Sequence, residues 1–231
     1  MPARVIVALD FDSAQEARAL VKNVGPRADA FKIGLQLLTT AGPDVVRELV
    51  AGGRHVFLDL KLHEIPNSVA GAVRAAGELG AGMVSVHASA GSAVLRAAVE
   101  AARPFARLQV LALTVITSLR DEDLPEIGLA PDVDEQVARL ASLAASSGCD
   151  GVVASAREAA FLRSLLPAGM AIVCPGIQFA SSSGNDQARV ATPRAAAAAG
   201  ATHIVMGRAI SAATEPARAF ETALAEFEAR D

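Results

Sequence analysis

The chain has 231 residues, of which 52% are hydrophobic and 20% are charged. This length fits one domain over residues 1–231, and no apolar stretch reaches the ~18 residues of a membrane-spanning helix. A formal net charge of −4 argues against general binding to nucleic acid or to anionic membranes. Any anion that the protein binds must therefore be held by a local group of residues.

Two features bear on the location of the protein. The opening segment MPARVIVALDFD lacks the basic and apolar regions of a signal peptide. Cys149 and Cys174 are the only cysteines and stand in separate segments, which predicts neither a disulfide nor a CxxC site. Both features favour a cytoplasmic protein.

Short β-branched runs alternate with longer, Ala-rich amphipathic stretches along the whole chain. The predicted strands are Val5–Leu9, Ala30–Ile33, His55–Lys61, Met83–Val86, Gln109–Thr114, Gly151–Ala154, Ala171–Cys174 and His203–Met206. The predicted helices lie near Ser13–Val24, Leu38–Ala51, Ile65–Leu79, Ser92–Arg103, Val133–Ser147, Ala156–Leu165, Pro193–Ala199 and Ala213–Ala229. Apolar strands separated by helices indicate parallel strands that are covered on both faces. Eight such units without a GxGxxG opening predict a closed (β/α)8 TIM barrel rather than a doubly wound sheet.

Two predicted loops are longer than the others. They are Leu119–Pro131, after the fifth strand, and Gly176–Thr192, after the seventh. The second loop is rich in Ser, Gly, Asn and Asp, and long loops in barrels often act as lids. We therefore expect it to cover the carboxyl-terminal end of the barrel.

Charged residues stand inside the third predicted strand, although barrel interiors are normally packed with branched apolar residues. The two-residue period of a strand places Asp59 and Lys61 on one face, with their Cα atoms about 6.6 Å apart. One interpretation is a structural ion pair at the barrel rim. Lys32 and Asp10 end the second and first strands, so four charges of alternating sign gather where barrel enzymes have their active sites. This grouping favours a catalytic role.

A second cluster stands at the ends of strands seven and eight. Gly207 permits close approach of the backbone to a ligand, and amides after it can point at an anion. Arg208 adds a guanidinium fork suited to phosphate. Pro175-Gly176 follows strand seven, and loops after strands seven and eight form the recurrent phosphate site of this fold. We predict a phosphate site there.

The four histidines form no recognisable metal or catalytic pattern. His55 and His203 begin strands and are interpreted as structural, whereas His63 and His87 lie near the charged strand end and stay ambiguous. No spacing resembles a zinc site, and none resembles a Ser-His-Asp arrangement. We therefore predict no metal site.

The run from Asp59 to Ser68, DLKLHEIPNS, resembles the DxKxxD-I-P-N-T signature of the orotidine 5′-phosphate decarboxylase family. The resemblance continues in family order over nearly the whole chain. The further matching blocks are Ala8-Leu-Asp10, Phe31-Lys32-Ile-Gly34, Val86-His87-Ala, Thr114-Val-Ile-Thr-Ser118, Asp150-Gly-Val-Val, Pro175-Gly-Ile177, Asp186-Gln187 and Val205-Met-Gly-Arg208.

The resemblance implies that the protein converts orotidine 5′-phosphate to uridine 5′-phosphate and CO2, without a cofactor. Lys32, Asp59 and Lys61 would then belong to a catalytic array, with Lys61 protonating ring carbon C6. Glu64 would reach into the neighbouring subunit's site of a homodimer. The implied substrate contacts are Asp10 to ribose, Ser68 from the partner subunit, Ser118 to the pyrimidine, Gln187, Gly207 and Arg208 to phosphate, and Pro175 and Gln178 beside them.

Three residues depart from the family pattern. Glu64 stands where Asp is usual, Gln178 where many relatives have Arg, and Ser68 where Thr is common. Glu64 could instead be a carboxylate that stabilises the start of the following helix.

Two other functions stay open. One is a Mg²⁺-dependent sugar-phosphate enzyme of the same superfamily, and the other is a barrel that binds nucleotide without turnover. The Ile65-Pro-Asn-Ser68 and Thr117-Ser118 blocks favour the pyrimidine substrate.

Overall fold

A computed structural model describes residues 4–180 and 191–229 of the chain. Eight parallel strands pair in chain order and close into a barrel, because β1 also pairs with β8. The strands are β1 Arg4–Ala8, β2 Ala30–Gly34, β3 His55–Leu62, β4 Met83–His87, β5 Gln109–Leu113, β6 Gly151–Val153, β7 Ala171–Cys174 and β8 His203–Met206. The predicted (β/α)8 TIM barrel is confirmed.

Helices cover the outside of the barrel. They are α1 Ala14–Asn23, α2 Leu35–Ala41, α3 Asp44–Ala51, α4 Pro66–Glu78, α5 Ser92–Ala102, α6 Val133–Ser146, α7 Ala159–Leu165, α8 Pro193–Ala198, α9 Arg208–Ser211 and α10 Pro216–Glu228. Buried side chains of these helices pack on the outward faces of the strands in one large apolar core. Since burial of apolar area is the main stabilising contribution, this layer holds the barrel together.

Side chains that point inward fill the interior of the barrel. They also show which residues nearer the carboxyl end of each strand point inward. This inner cluster consists of Ile6, Ala8, Ala30, Phe57, Leu111, Leu113, Val153, Ala171, Val173 and Val205, with Met83 against it. Asp10, Lys32 and Asp59 each follow an inner residue by two positions, so strand alternation directs all three toward the barrel axis.

Some predicted elements differ from those of the structure. The predicted helix Leu38–Ala51 is two helices, because Gly42 takes a left-handed φ of 71° and Pro43 cannot continue the α2 hydrogen bonds. The predicted helix Ala213–Ala229 begins instead with Pro216, the first residue of α10. The predicted loop Leu119–Pro131 contains a 3₁₀ turn at Asp121–Ile127, where the Asp123 carboxylate accepts from the Arg120 amide.

Among the described residues no helix is long and apolar enough to cross a membrane. Both cysteines are free thiols and are buried. Burial raises the pKa of the Cys149 thiol to about 12, with Asp150 adding to the shift. Neither thiol is therefore a reactive nucleophile near neutral pH.

Candidate active site

At the carboxyl ends of the strands the described residues line a cleft of about 790 Å³. Nine of the predicted site residues lie on its wall although they come from distant parts of the chain. They are Asp10, Lys32, Asp59, Lys61, Ser118, Pro175, Gln178, Gly207 and Arg208. The barrel brings them together because parallel strands place all their carboxyl ends at one rim.

On one side of the cleft, lysines and carboxylates form a connected line that we call the charged array: Asp10, Lys32, Asp59 and Lys61. The Lys32 ammonium lies 2.8 Å from Oδ1 of Asp10 and 3.8 Å from Oδ2 of Asp59. The Lys61 ammonium lies 2.7 Å from that same Oδ2. Lys32 and Asp59, the two inner members of the array, are thus each in contact with two groups of opposite charge. Such pairing offsets the cost of burying a charge.

Exposure is graded along the charged array. The side chains of Lys32 and Asp59 are only 12% and 11% exposed, whereas those of Lys61 and Asp10 are 37% and 51% exposed. The inner pair is desolvated, so its fields act with little screening. The outer members face the open cleft, where a bound molecule could meet both an ammonium and a carboxylate.

The backbone of β3 is irregular at this site. Leu58 pairs with Val84 and Leu62 pairs with Val86, so three residues of β3 lie opposite the single residue Ser85 of β4. Within this bulge Lys61 has a left-handed φ of 48°, the only such value for a residue other than glycine in the described chain. That conformation costs about 1–3 kcal/mol and is typical of functional sites. The bulge aims Lys61 into the cleft.

Sequence reasoning missed Ser85, the residue that faces the bulge. Its hydroxyl is fully buried, donates to Oδ1 of Asp59 at 2.9 Å, and accepts from the Lys61 amide at 2.9 Å. A serine among the apolar residues of β4, two positions after the inward-facing Met83, was the available signal. Sequence reasoning also missed Gln36 and named Thr117 only as part of a family block, and both residues line the cleft.

The residues predicted to hold phosphate lie at the ends of β7 and β8, and Gly207 is next to Asp10 at one end of the charged array. Arg208 is exposed at the start of α9, and the amides of Ile210 and Ser211 donate to the Gly207 carbonyl. Two of the amides expected to face an anion are thus used within the turn. Gly176 takes a φ of 75°, a value suited to glycine, where the chain leaves β7.

The two described ends of the loop after β7 are hydrogen-bonded to each other through their backbones. The Gln178 amide donates to the Ala191 carbonyl at 3.0 Å, beside a bridge between Ile177 and Ala191. Gln187, predicted at the phosphate, lies outside the described residues, as does most of the predicted lid. The described ends place Gln178 at the cleft wall.

Glu64 and Ser68 do not line the cleft of their own chain. Both are exposed at the start of α4, on the rim beside β3. A hydrogen bond from the Ser68 hydroxyl, and then one from the Ile65 amide, hold the pKa of the Glu64 carboxyl below its ordinary value. Within one chain, Glu64 therefore sits as a carboxylate at a helix start.

His63 and His87 lie next to the charged array. Their rings are 5.3 Å apart, and Nδ1 of His87 is hydrogen-bonded to the Ser89 hydroxyl at 2.9 Å. Burial, followed by the charges of His63 and Lys61, lowers the pKa of His87. A neutral His87 ring at physiological pH follows. His203 is buried and hydrogen-bonded to Thr202, as expected of a structural residue. In the described ranges no three acidic, His or Cys side chains cluster as metal ligands.

Comparisons with known proteins converge on one family. The family model described as orotidine 5′-phosphate decarboxylase / HUMPS matches residues 3–223. The chain is 50% identical to the orotidine 5′-phosphate decarboxylase of Halorhodospira halophila over 229 residues, covering 99% of this chain and 97% of that protein. It is 49% identical to the enzyme of the same name from Sodalis glossinidius, over 97% and 90% of the two chains. The crystal structure of orotidine 5′-phosphate decarboxylase from Lactobacillus acidophilus matches with a TM-score of 0.88 at 34% identity, over 98% of this chain and all of that one.

Proposed function

The chain belongs to the orotidine 5′-phosphate decarboxylase / HUMPS family, and from this we propose that it converts orotidine 5′-phosphate to uridine 5′-phosphate and CO2. The observation that carries the proposal is the charged array. Two ammonium groups and two carboxylates alternate at one wall of a cleft large enough for a nucleotide. This step belongs to pyrimidine biosynthesis.

The chemistry explains why an array of this kind is needed. Breaking the bond between C6 and the carboxylate leaves an electron pair on C6, and the pyrimidine ring does not delocalise it. Stabilisation must come from charges that are already in place when the bond breaks. In our proposal the Lys61 ammonium faces C6, stabilises this developing negative charge, and then donates its proton to the carbon.

Asp59 has two tasks in this mechanism. Its Oδ2 holds the Lys61 ammonium at 2.7 Å and also lies 3.8 Å from Lys32, so both lysines are anchored on one atom. Its negative charge also lies near the substrate carboxylate in this proposal, and departure of CO2 relieves that repulsion. Lys32 limits the cost of keeping Asp59 ionised in its nearly buried position.

The phosphate is proposed to bind at Arg208 and Gly207, which follow β8 and adjoin the Asp10 end of the charged array. Binding energy from a remote phosphate can orient the base against Lys61 without stabilising the ground state at C6. We propose that Ser118 contacts the pyrimidine, Asp10 the ribose, and Pro175, Gln178 and Gln187 the phosphate end. In this proposal a protein with a formal net charge of −4 binds an anionic phosphate through the local positive charge of Arg208.

We also propose a homodimer in which Glu64 and Ser68 enter the partner subunit's site. Support comes from the exposed apolar side chains on the same rim, Ile65 next to Glu64 and Leu35 after β2, which are 61% and 58% exposed. A partner subunit that covers this rim would remove both apolar side chains from water. A two-fold axis would place each Glu64 at the other chain's cleft.

A cytoplasmic location is part of the same proposal. Free, buried thiols and a small phosphorylated substrate both fit a reducing compartment.

We expect the purified protein to decarboxylate orotidine 5′-phosphate with unchanged rate in excess EDTA, because ammonium groups supply the positive charge at C6. Loss of the carboxylate changes the ultraviolet absorbance of the ring, which gives a continuous assay. The proposal is wrong if this substrate is not turned over while a sugar phosphate is turned over in a Mg²⁺-dependent manner. Binding of uridine 5′-phosphate without any turnover would equally contradict it.

Arg208→Ala is expected to weaken binding of uridine 5′-phosphate by about 1.5–3 kcal/mol, the range for a hydrogen bond to a charged group. Calorimetric titration measures this loss. Binding of uridine, which lacks the phosphate, should change much less. Arg218→Ala, at an arginine on α10 that pairs with Glu215, is the matched control. Equal losses for nucleotide and nucleoside would show that Arg208 does not contact phosphate.

A further inference from the structure

We infer that Ser85 is a positioning residue for the reaction, which sets the geometry of both Asp59 and Lys61 through two hydrogen bonds. The inference rests on the proposed function, since it assigns to Ser85 the task of aiming the proposed acid. Ser85 does not line the cleft, because its side chain is fully buried behind the charged array.

The first hydrogen bond orients Asp59. The Asp59 carboxylate can rotate about its terminal torsion, which is broad. The Ser85 hydroxyl donates to Oδ1 at 2.9 Å and thereby leaves Oδ2 to face Lys61 at 2.7 Å and Lys32 at 3.8 Å. Without the Ser85 hydroxyl, Oδ1 of the nearly buried Asp59 would lose its hydrogen-bond donor. The carboxylate could then rotate, and Oδ2 would move away from the Lys61 and Lys32 ammonium groups.

The second hydrogen bond holds the backbone of Lys61. Three residues of the bulge, Asp59, Leu60 and Lys61, lie opposite Ser85 alone. The backbone of β4 therefore cannot pair with each of them in the regular register. The Ser85 hydroxyl accepts from the Lys61 amide at 2.9 Å and so supports the left-handed φ of 48° there. Ser85 thus replaces a backbone contact where the register shifts, and the direction of the Lys61 side chain depends on it.

A single hydroxyl therefore couples the two groups that lie closest to the proposed chemistry. It has one hydrogen, which is used on Asp59, and an acceptor lone pair, which is used on Lys61. Alanine removes both bonds and leaves the cleft wall unchanged. Threonine keeps the hydroxyl and suits a strand.

We expect Ser85→Ala to lower kcat by about 10²-fold, the scale of a small misplacement of a reacting group. KM and the affinity for uridine 5′-phosphate should change much less, because no proposed phosphate or base contact involves Ser85. Ser85→Thr should recover most of the lost kcat. Thr202→Val is the control: the Thr202 hydroxyl, just before β8, also bonds the backbone of a neighbouring strand, at Ile172 of β7, but it lies at the start of the strands and so at the other end of the barrel.

A spectroscopic measurement tests the geometry independently of turnover. The chain has three lysines, Lys22, Lys32 and Lys61, so ¹⁵N-lysine labelling yields a backbone amide spectrum that Lys→Arg variants assign. Ser85→Ala should shift the Lys61 amide signal strongly and leave the Lys22 signal, on the distant helix α1, in place. If this variant does not fold, Ser85→Cys, which keeps the size and weakens the hydrogen bonds, takes its place.

Three results would overturn the inference: an unmoved Lys61 signal, a general shift of all three signals, or a kcat equal to that of wild type. A wild-type protein with no turnover contradicts the proposed function instead, and the Lys61 signal then still decides whether Ser85 holds that amide.

Discussion

Lys61→Ala is expected to reduce kcat by at least ~10³-fold, because it removes both the proton donor, which contributes about 10²–10⁴-fold, and the charge that stabilises C6, which contributes about 10²–10³-fold. The ultraviolet assay with orotidine 5′-phosphate measures the loss. Affinity for uridine 5′-phosphate should stay near that of wild type, since the proposed phosphate site is at the ends of β7 and β8 whereas Lys61 is on β3.

Lys22→Ala is the matched control for this variant. Lys22 is an exposed lysine in the last turn of α1 and lies outside the cleft. Its replacement should leave kcat unchanged. A Lys61→Ala enzyme that works within tenfold of wild type would show that Lys61 is not the acid, whatever the position of its ammonium group.

Mixing inactive variants is expected to restore activity if each site draws Glu64 from the partner subunit. Lys61→Ala and Glu64→Ala should each be nearly inactive alone. In a mixed dimer, one site carries both defects and the other carries neither, so up to about half of the wild-type activity per heterodimer should return, as two-fold symmetry requires. Assays after subunit exchange, with mass measurements of the heterodimer, test this expectation.

The control for mixing is a pair of defects in the same chain. Asp59 and Lys61 are in direct contact at 2.7 Å within one barrel, so mixing Asp59→Asn with Lys61→Ala should restore nothing. If Glu64 acts only as a helix-start carboxylate with its Ser68 and Ile65 hydrogen bonds, Glu64→Ala should keep its kcat and lose stability instead. Free exchange without recovery would also contradict the shared site.

The barrel itself was predictable from local patterns. Runs of β-branched residues alternating with amphipathic helices indicated both the strand number and the parallel direction. The errors lie where a short-range feature interrupts a long pattern, as at Gly42-Pro43 between α2 and α3. The glycine and proline there were visible in the sequence, but the periodic apolar pattern continues across them.

Most of the cleft was also predictable, since strand alternation and the common rim of a parallel barrel place Asp10, Lys32 and Asp59 together. The role of Ser85 was not predictable, because its partners come from another strand. The Ser85 contacts depend on how β3 and β4 pair, and the register shift opposite Ser85 has no signal in either strand alone.

By itself, the amino-acid sequence determined the fold and which charges face the barrel axis, because both follow from periods of two or 3.6 residues that act within one element. Only the tertiary structure decided how those charges are held. The left-handed backbone of Lys61 and the two hydrogen bonds of Ser85 depend on neighbours that are distant in the chain. Strain at Lys61 persists because these long-range contacts outweigh its local cost, and no local pattern encodes that balance.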